Sequence, residues 1–268
     1  MSRASLSSRF ELRLRAWILC IASACFFGCA VGTSGTNVTT GEASPSDATT
    51  AAAPKTDPPP RIDEPSVKPG INDPYFRADG LETYTRILEA KTREIVQRRS
   101  EIVDAIGLEK GMVVADIGAG TGLLTTGMAK RVGPRGTVFA VDIVPAFLER
   151  IRERTTAEGL SNVIVVRGEE RATGLEPASL DLAFMCDTYH HIEYPEAYMR
   201  SLFRTLRPGA LLVLVDMKRP EGESSPAVLR HVRADKPTVI AEVERAGFVF
   251  ESEIDLLREN YYLRFRRP

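Results

Sequence analysis

Short apolar runs alternate with amphipathic stretches through most of the chain after residue 110. Five of these runs have the length and composition of buried strands: 112–117, 137–143, 162–166, 180–186 and 210–216. Most of the stretches between them place apolar residues at helical spacing, and Pro145 and Gly159 mark the start and the end of one helix. Strands that alternate with helices predict a doubly wound α/β fold, in which helices cover both faces of a mostly parallel sheet.

Further elements are predicted at both ends of this alternation. Residues 81–106 carry apolar side chains mostly three or four positions apart, which predicts one long or broken helix. A last helix is expected near 237–246, and strand-like runs follow at 248–256 and 260–266. Because only a few polar residues separate these two runs, we expect an antiparallel C-terminal pair at one edge of the sheet.

The first thirty residues have the pattern of an export signal. Arginines precede an apolar run at 16–32, which is shorter than a membrane span of about 20 residues, so 1–30 are predicted to be a signal peptide or membrane anchor. Residues 26–28 before Cys29 resemble the lipobox of bacterial lipoproteins, and Cys25 is a second candidate for lipidation. We therefore expect a membrane-associated, exported lipoprotein tethered through its N-terminus. An ordinary signal peptide and an anchor that faces the cytoplasm are the alternatives.

A low-complexity segment separates this signal from the globular part of the chain. Residues 31–70 are rich in Pro, Thr, Ala and Ser and contain almost no large apolar side chains, which predicts a disordered linker. The body is expected over 71–268, beginning with a helical lid. Tyr75, Phe76 and Tyr84 lie in this first part, where they either cover an apolar ligand or pack in the core.

The overall charge does not favour a polyanionic partner. The 268 residues are 43% hydrophobic, as in ordinary globular proteins, and 35 basic residues balance 36 acidic ones. No nucleic-acid partner is therefore predicted.

The sequence VADIGAGTG at 114–122 places three glycines directly after a predicted strand and before a helix. Such a turn lets the backbone approach a ligand closely. Leu123 replaces the last glycine of the dinucleotide fingerprint, and the Gly-Lys-Ser/Thr of a phosphate loop is absent, so both of those sites are disfavoured. Asp116 suits a cationic ligand better than an anionic one. Asp142, at the end of the next strand, is placed to accept hydrogen bonds from a ribose diol.

These motifs resemble the Rossmann-like (class I) S-adenosylmethionine-dependent methyltransferases of small-molecule type. The resemblance continues through Gly168-Glu169, through LDLAFMCDTYHHI at 180–192 and through LRPGALLVLVD at 206–216, and it covers roughly 100–268. It implies a mostly parallel seven-stranded sheet with an antiparallel C-terminal strand, and S-adenosyl-L-methionine as cofactor. The cofactor-binding residues that it implies are Asp116, Gly118, Gly120, Gly122, Asp142, Ile143, Glu169 and Asp187, with Glu170 as an alternative to Glu169.

Two adjacent histidines follow the fourth predicted strand. Methyl transfer needs a base only when the acceptor must lose a proton, and His190 or His191 is the candidate for that catalytic role. The alternative is that one histidine packs internally while the other contacts solvent. His231 and Arg233 are expected on the acceptor side from their position alone. No metal site is predicted, because adjacent histidines cannot easily face one ion and no Cys or carboxylate has matching spacing.

The sequence therefore predicts an enzyme that methylates a small or lipid-like acceptor. A non-catalytic module that binds a nucleoside or S-adenosylmethionine on a tethered lipoprotein is the alternative. The predicted export conflicts with the predicted cofactor, because S-adenosylmethionine is made in the cytoplasm. Either the anchor faces the cytoplasm, or the cofactor reaches the outer compartment, or the fold binds another ligand.

Overall fold

The computed structural model describes residues 62–219 and 226–268. Within these residues, no helix combines the length and the apolar character that crossing a membrane requires. The predicted signal peptide, the candidate lipidation site Cys29 and most of the predicted linker lie outside the described residues.

The described residues contain one seven-stranded sheet in the order β3-β2-β1-β4-β5-β7-β6. The strands are β1 (Val113–Ile117), β2 (Thr137–Asp142), β3 (Val163–Arg167), β4 (Leu180–Cys186), β5 (Leu206–Met217), β6 (Val249–Glu253) and β7 (Asn260–Arg266). The first five run parallel, and β7 pairs antiparallel with both β5 and β6. The predicted α/β fold, with a mostly parallel sheet and an antiparallel C-terminal strand, is confirmed.

Eight helices flank the described sheet. They are α1 (Gly80–Leu88), α2 (Glu94–Gln97), α3 (Arg99–Ala105), α4 (Thr125–Val132), α5 (Pro145–Ala157), α6 (Pro195–Thr205), α7 (Pro226–His231) and α8 (Lys236–Arg245). Two short 3₁₀ turns, Asp73–Phe76 and Tyr189–His191, complete the described helical elements. The segment at 81–106 is therefore the broken form of the predicted helix.

The sheet is covered on both faces because alternate side chains of its strands enter different cores. On β4, Leu182 and Phe184 belong to the cluster that contains residues of α3 and α4. Ala183 and Met185 belong to the cluster that contains residues of α6 and α8. This two-sided burial explains why the strand reads as a continuous apolar run.

The last part of the predicted linker is bound to the body. The carboxylate of Glu64 accepts hydrogen bonds from the backbone N–H groups of Glu196 (3.0 Å) and Ala197 (2.9 Å) in the first turn of α6. The backbone N–H of Val67 donates to the carbonyl of Glu193 at 2.9 Å, and Arg171 donates to the carbonyl of Glu64 at 2.9 Å. The prediction of disorder up to residue 70 does not hold for residues 62–68. Their polar groups bond to residues that are far away in the sequence, and composition alone does not reveal such partners.

Candidate active site

A pocket with an empty volume of about 1130 Å³ opens where the C-terminal ends of β1, β2 and β4 meet. Ligands of open α/β sheets bind at this edge. The sequence-predicted residues that line it are Asp116, Gly118, Gly120, Asp142, Ile143, Glu169, Asp187 and His191. Gly122 and His190 are absent from the lining.

The glycine turn is shaped by steric limits and by one hydrogen bond. Gly118 has φ +68°, and a Cβ there would collide with the side chain of Thr188. Gly120 has φ +53°, and its backbone N–H donates to Oδ2 of Asp142 at 2.8 Å. The turn after β1 is thus fastened to the end of β2, and its backbone forms one wall of the pocket.

Gly122 has a packing role. Its φ is +74°, and a Cβ there would lie 3.2 Å from Cγ1 of Ile151 on α5. This glycine is required for the turn and for close packing of α5, and the cofactor contact expected of it stays a prediction.

Two buried carboxylates stand beside the turn. Oδ1 of Asp142 accepts from the backbone N–H of Val144 at 2.9 Å, and Oδ2 of Asp116 accepts from the hydroxyl of Thr125 at 2.6 Å. Burial raises the pKa of each aspartate to about 6 despite these hydrogen bonds. Because no cation pairs with either carboxylate among the described residues, hydroxyl or ammonium donors of a ligand would stabilise the ionised forms.

Asp187 is held by a network that the sequence did not reveal. It has φ +48°, and its carboxylate pairs with the guanidinium of Arg93 and accepts from Nδ2 of Asn260 at 2.5 Å. Burial raises its pKa, the carboxylate of Asp216 adds to this effect, and Arg93 opposes it. Arg93 itself lines the pocket and donates to the carbonyl of Leu88 at 2.7 Å. No motif marks Arg93, because the carboxylate that it pairs with, Asp187, is 94 positions away in the sequence.

The predicted cofactor-binding residue Glu169 and its alternative Glu170 lie on the outer rim of the pocket. Glu169 and Glu170 are both exposed and both line the pocket. Gly168 before them is buried, and a Cβ there would lie 2.9 Å from Cγ1 of Val141. The glycine is thus explained by packing, and both glutamates remain candidates for the rim contact.

The two adjacent histidines have different surroundings. Nδ1 of His190 lies 2.6 Å from Oδ1 of Asp216, and its backbone N–H donates to Oδ2 of the same residue at 3.0 Å. His191 faces the pocket, where its Nε2 lies 3.2 Å from the hydroxyl of Tyr75. A direct catalytic role for His190 in this pocket is therefore not supported by its position, whereas His191 is placed for one.

The pKa values of these two histidines move in opposite directions. Burial alone would lower the pKa of His190, but the carboxylate of Asp216 outweighs it and the pKa is raised. Burial and the neighbouring imidazole of His190 hold the pKa of His191 well below its usual range. At neutral pH His191 is accordingly an uncharged imidazole that can accept a proton.

His231 joins these two side chains from a separate part of the chain. Its Nε2 lies 3.2 Å from Nε2 of His190, and its ring centroid is 4.9 Å from that of His191. One ring nitrogen from each of the three histidines falls within 4.8 Å of the others. The expectation that adjacent histidines cannot face a common point is not met, because the 3₁₀ turn Tyr189–His191 brings their rings to the same side. Arg233 instead pairs with Glu242 at 2.8 Å.

Aromatic side chains form part of the pocket wall. The ring of Tyr75 stacks on Tyr84 with centroids 3.9 Å apart and meets Phe147 edge-on at 6.0 Å. Tyr75 and Phe147 line the pocket, whereas Phe76 is 53% exposed. Two of the three predicted lid aromatics, Tyr75 and Tyr84, therefore stack beside the site.

The residues of the pocket fit S-adenosyl-L-methionine. The Cβ-free surface of Gly118 and Gly120 admits a ligand against the backbone. Asp142 offers carboxylate oxygens to a ribose diol, and Asp116 is an acid near the turn for a cationic end. Leu88, Leu124 and Phe147 supply apolar walls.

Comparisons with known proteins agree with this geometry. Residues 115–214 match a family described as a methyltransferase domain. A SAM-dependent methyltransferase from Aquifex aeolicus has 25% sequence identity and a TM-score of 0.64, with 69% of this chain and 98% of that chain covered. The predicted fold is confirmed, and these similarities support the predicted enzyme class and cofactor.

More distant or partial relatives extend the comparison. The chain is 29% identical over 119 residues to a ubiquinone/menaquinone biosynthesis C-methyltransferase of Idiomarina loihiensis, which covers 44% of this chain and 47% of the relative. The chain thus spans about half the length of the curated relatives that it matches. A phosphoethanolamine N-methyltransferase of Haemonchus contortus in complex with S-adenosyl-L-methionine shares the fold, with 20% identity, a TM-score of 0.56, and coverage of 68% of this chain and 45% of that chain.

Proposed function

We propose that the protein transfers the methyl group of S-adenosyl-L-methionine to a small or lipid-like acceptor. The observation that carries the proposal is that one pocket contains both the glycine turn fastened to Asp142 and the neutral imidazole of His191. The cofactor supplies an electrophilic methyl group on a sulfonium.

The main work of the protein is to position the acceptor and exclude water. An in-line displacement requires the acceptor atom to be held close to the methyl group, and fixed orientation contributes much of the rate. Tyr75, Phe147 and Ile192 give the side of the pocket near His191 an apolar surface. Such a surface favours an aromatic or lipid-like acceptor and disfavours bulk water.

His191 is the proposed proton acceptor when the acceptor is a phenol, an enol or another hydroxyl. Its lowered pKa leaves a ring nitrogen unprotonated at neutral pH, and the hydroxyl of Tyr75 at 3.2 Å orients the ring. His190, which faces Asp216, would act by positioning His191 through ring contact at a centroid distance of 4.3 Å.

A quinone-type acceptor is the first substrate to test. The names of the C-methyltransferases matched over 119 residues and the apolar acceptor wall both support this class. The assay measures methyl transfer from labelled S-adenosyl-L-methionine to reduced quinone analogues, beside cofactor binding by calorimetry. Turnover by the wild type that falls at least tenfold in His191→Asn with cofactor binding retained supports the proposal.

The same assay distinguishes the alternative function. Micromolar cofactor binding that Asp142→Ala removes, without methyl transfer to quinols, phenols, thiols or amines, would favour a non-catalytic binding module. A folded wild-type protein that binds no S-adenosyl-L-methionine would exclude both functions.

We propose as well that the protein is a membrane-associated, exported lipoprotein lipidated at Cys29. The proposal rests on the basic residues, the apolar run and the FFG before Cys29 in the sequence. Mass spectrometry of the N-terminal peptide from membrane fractions tests it. A diacylglyceryl group on Cys29 that is lost in Cys29→Ala supports the proposal, and an intact, unmodified N-terminus on the cytoplasmic face would contradict it.

A further inference from the structure

All three histidines of the chain meet at one place in the structure. His190 and His191 end the 3₁₀ turn after β4, and His231 ends α7, forty residues later. Ring centroids are separated by 4.3 Å, 4.8 Å and 4.9 Å. We propose that this histidine cluster, His190, His191 and His231, binds a divalent transition metal ion of the zinc class.

The separation of the ring nitrogens suits such an ion. Two imidazole nitrogens bound to tetrahedral zinc at about 2.0–2.1 Å lie about 3.3 Å apart. Nε2 of His190 and Nε2 of His231 are 3.2 Å apart. All three ligand atoms lie within 4.8 Å, so the third ring needs a shift on the order of 1 Å to complete the set.

The hydrogen bonds around the cluster leave electron pairs for a metal. Asp216 faces Nδ1 of His190, which favours a proton on that nitrogen and directs Nε2 toward the cluster as the nitrogen that would bind a metal. A carboxylate behind a histidine in this way orients the ring and strengthens it as a ligand. Nδ1 of His191 is buried without a hydrogen-bond partner among the described residues. A buried, unpaired ring nitrogen is costly unless a ligand completes it.

Nearby charges and contacts also favour a cation. The carboxylates of Asp216 and Asp187 favour a positive charge at His190, and the ammonium of Lys68 opposes them. Lys68 donates to the backbone carbonyls of Arg230 and His231 at the end of α7, the latter at 2.8 Å. The lysine therefore holds the helix end that carries His231 while its charge is directed to carbonyl oxygens.

Three imidazoles leave one of four coordination positions for water or a substrate atom. Since His191 also lines the pocket, the ion would stand in the wall on the acceptor side. A bound ion would occupy electron pairs of the cluster, so His191 cannot at once be a metal ligand through its free nitrogen and a proton acceptor there. The two roles of His191 would therefore compete, although metal binding itself can be measured without methyl transfer.

The test uses the full-length protein, stripped with a chelator and titrated with Co²⁺ and then Zn²⁺. We expect one ion per chain, a visible Co²⁺ absorption band that zinc displaces, and at least a tenfold weaker affinity in His231→Ala. His231 is exposed, so this variant should fold, and circular dichroism checks that it does. Cysteines outside the cluster remain in both proteins, and their contribution cancels in the comparison.

A control variant and a titration with the cofactor complete the test of metal binding. Lys236→Ala, at a partly exposed position at the start of the following helix, is the matched control and should bind the metal like the wild type. Equal metal binding in wild type and His231→Ala, or none in either, would overturn the inference. Calorimetry with S-adenosyl-L-methionine on the same samples keeps a failure of the cofactor site distinct from a failure of the metal site.

Discussion

Asp142 fastens the glycine turn and at the same time faces the pocket. Oδ2 binds the N–H of Gly120 and Oδ1 binds the N–H of Val144, yet burial still raises its pKa to about 6. A carboxylate oxygen accepts more than one hydrogen bond, so both oxygens can also receive ribose hydroxyls. The residue thus links the local geometry of the turn to ligand recognition.

This pKa predicts a pH dependence of cofactor binding. Ribose hydroxyls donate to the ionised carboxylate, which dominates above pH 6, so affinity should rise as pH increases through 6 and fall below it. The dissociation constant of the cofactor should rise by up to about tenfold for each pH unit below 6. Calorimetric titration with S-adenosyl-L-methionine between pH 5 and 8 measures it. Asp142→Asn should bind the cofactor more weakly and lose most of the pH dependence, and any pH dependence that remains is assigned to Asp116. An unchanged slope of affinity against pH would contradict this role of Asp142.

Arg93 balances the buried charge of Asp187. Arg93→Ala removes the guanidinium and leaves the carboxylate with Asn260, so we expect the free energy of unfolding to fall by about 2 kcal/mol. Urea denaturation measures the loss. The double variant Arg93→Ala/Asp187→Asn should be less destabilised than the sum of the single changes. Strict additivity would show that the two side chains do not stabilise each other.

The turn after β1 requires glycine for two separate reasons, positive φ and lack of space. Gly118→Ala meets both obstacles because its Cβ would collide with Thr188, so we expect cofactor binding to be lost. Gly133 has φ +70° with open space around its Cβ position, and Gly133→Ala isolates the conformational cost of about 1 kcal/mol. Thermal melts and calorimetry on both variants separate the two reasons. Retained binding in Gly118→Ala would show that the turn can open.

The start of α6 is capped by a residue more than 130 positions away. Glu64 accepts from two N–H groups of the first turn, in a helix whose own N-cap residue, Tyr194, supplies no side-chain hydrogen bond. Glu64→Ala should lower the free energy of unfolding by about 1–2 kcal/mol, because a lost cap exposes helix donors and removes a charge that favours the helix dipole. Glu64→Gln should lose less, and exposed Asp63→Ala should change stability little. Chemical denaturation compares the three.

The folded body of the protein begins nearer the N-terminus than the composition of residues 62–70 suggests. A protein that begins at residue 62 keeps the contacts of Glu64, Ser66 and Lys68, whereas one that begins at 71 loses them. If these contacts contribute about 3 kcal/mol together, Tm should be lower by roughly 6–12 °C in the shorter protein. Differential scanning calorimetry tests this. Equal Tm values would show that residues 62–70 add no stability, as expected for a linker.

Most elements were predictable because their signals are local. The strand at 180–186 and the strand at 260–266 were predicted with the bounds that the structure has, since both runs are rich in apolar or aromatic residues. The short helix α7 was not predicted, because its six residues are too few to show a helical spacing and none of them is buried. The break between α1 and α2 depends on the contacts of Arg93 with Leu88 and Asp187, which no periodicity encodes.

The sequence by itself determined how strands and helices follow one another along the chain. It also determined the glycine turn, the acid at the end of β2 and the resemblance that follows from them. These are properties of consecutive residues, and backbone sterics and apolar periodicity act over such short ranges. Only the tertiary structure decided which side chains share a site. It brought Arg93 to Asp187, Glu64 to α6 and His231 to His190, because these pairs become neighbours only when the sheet and its helices pack.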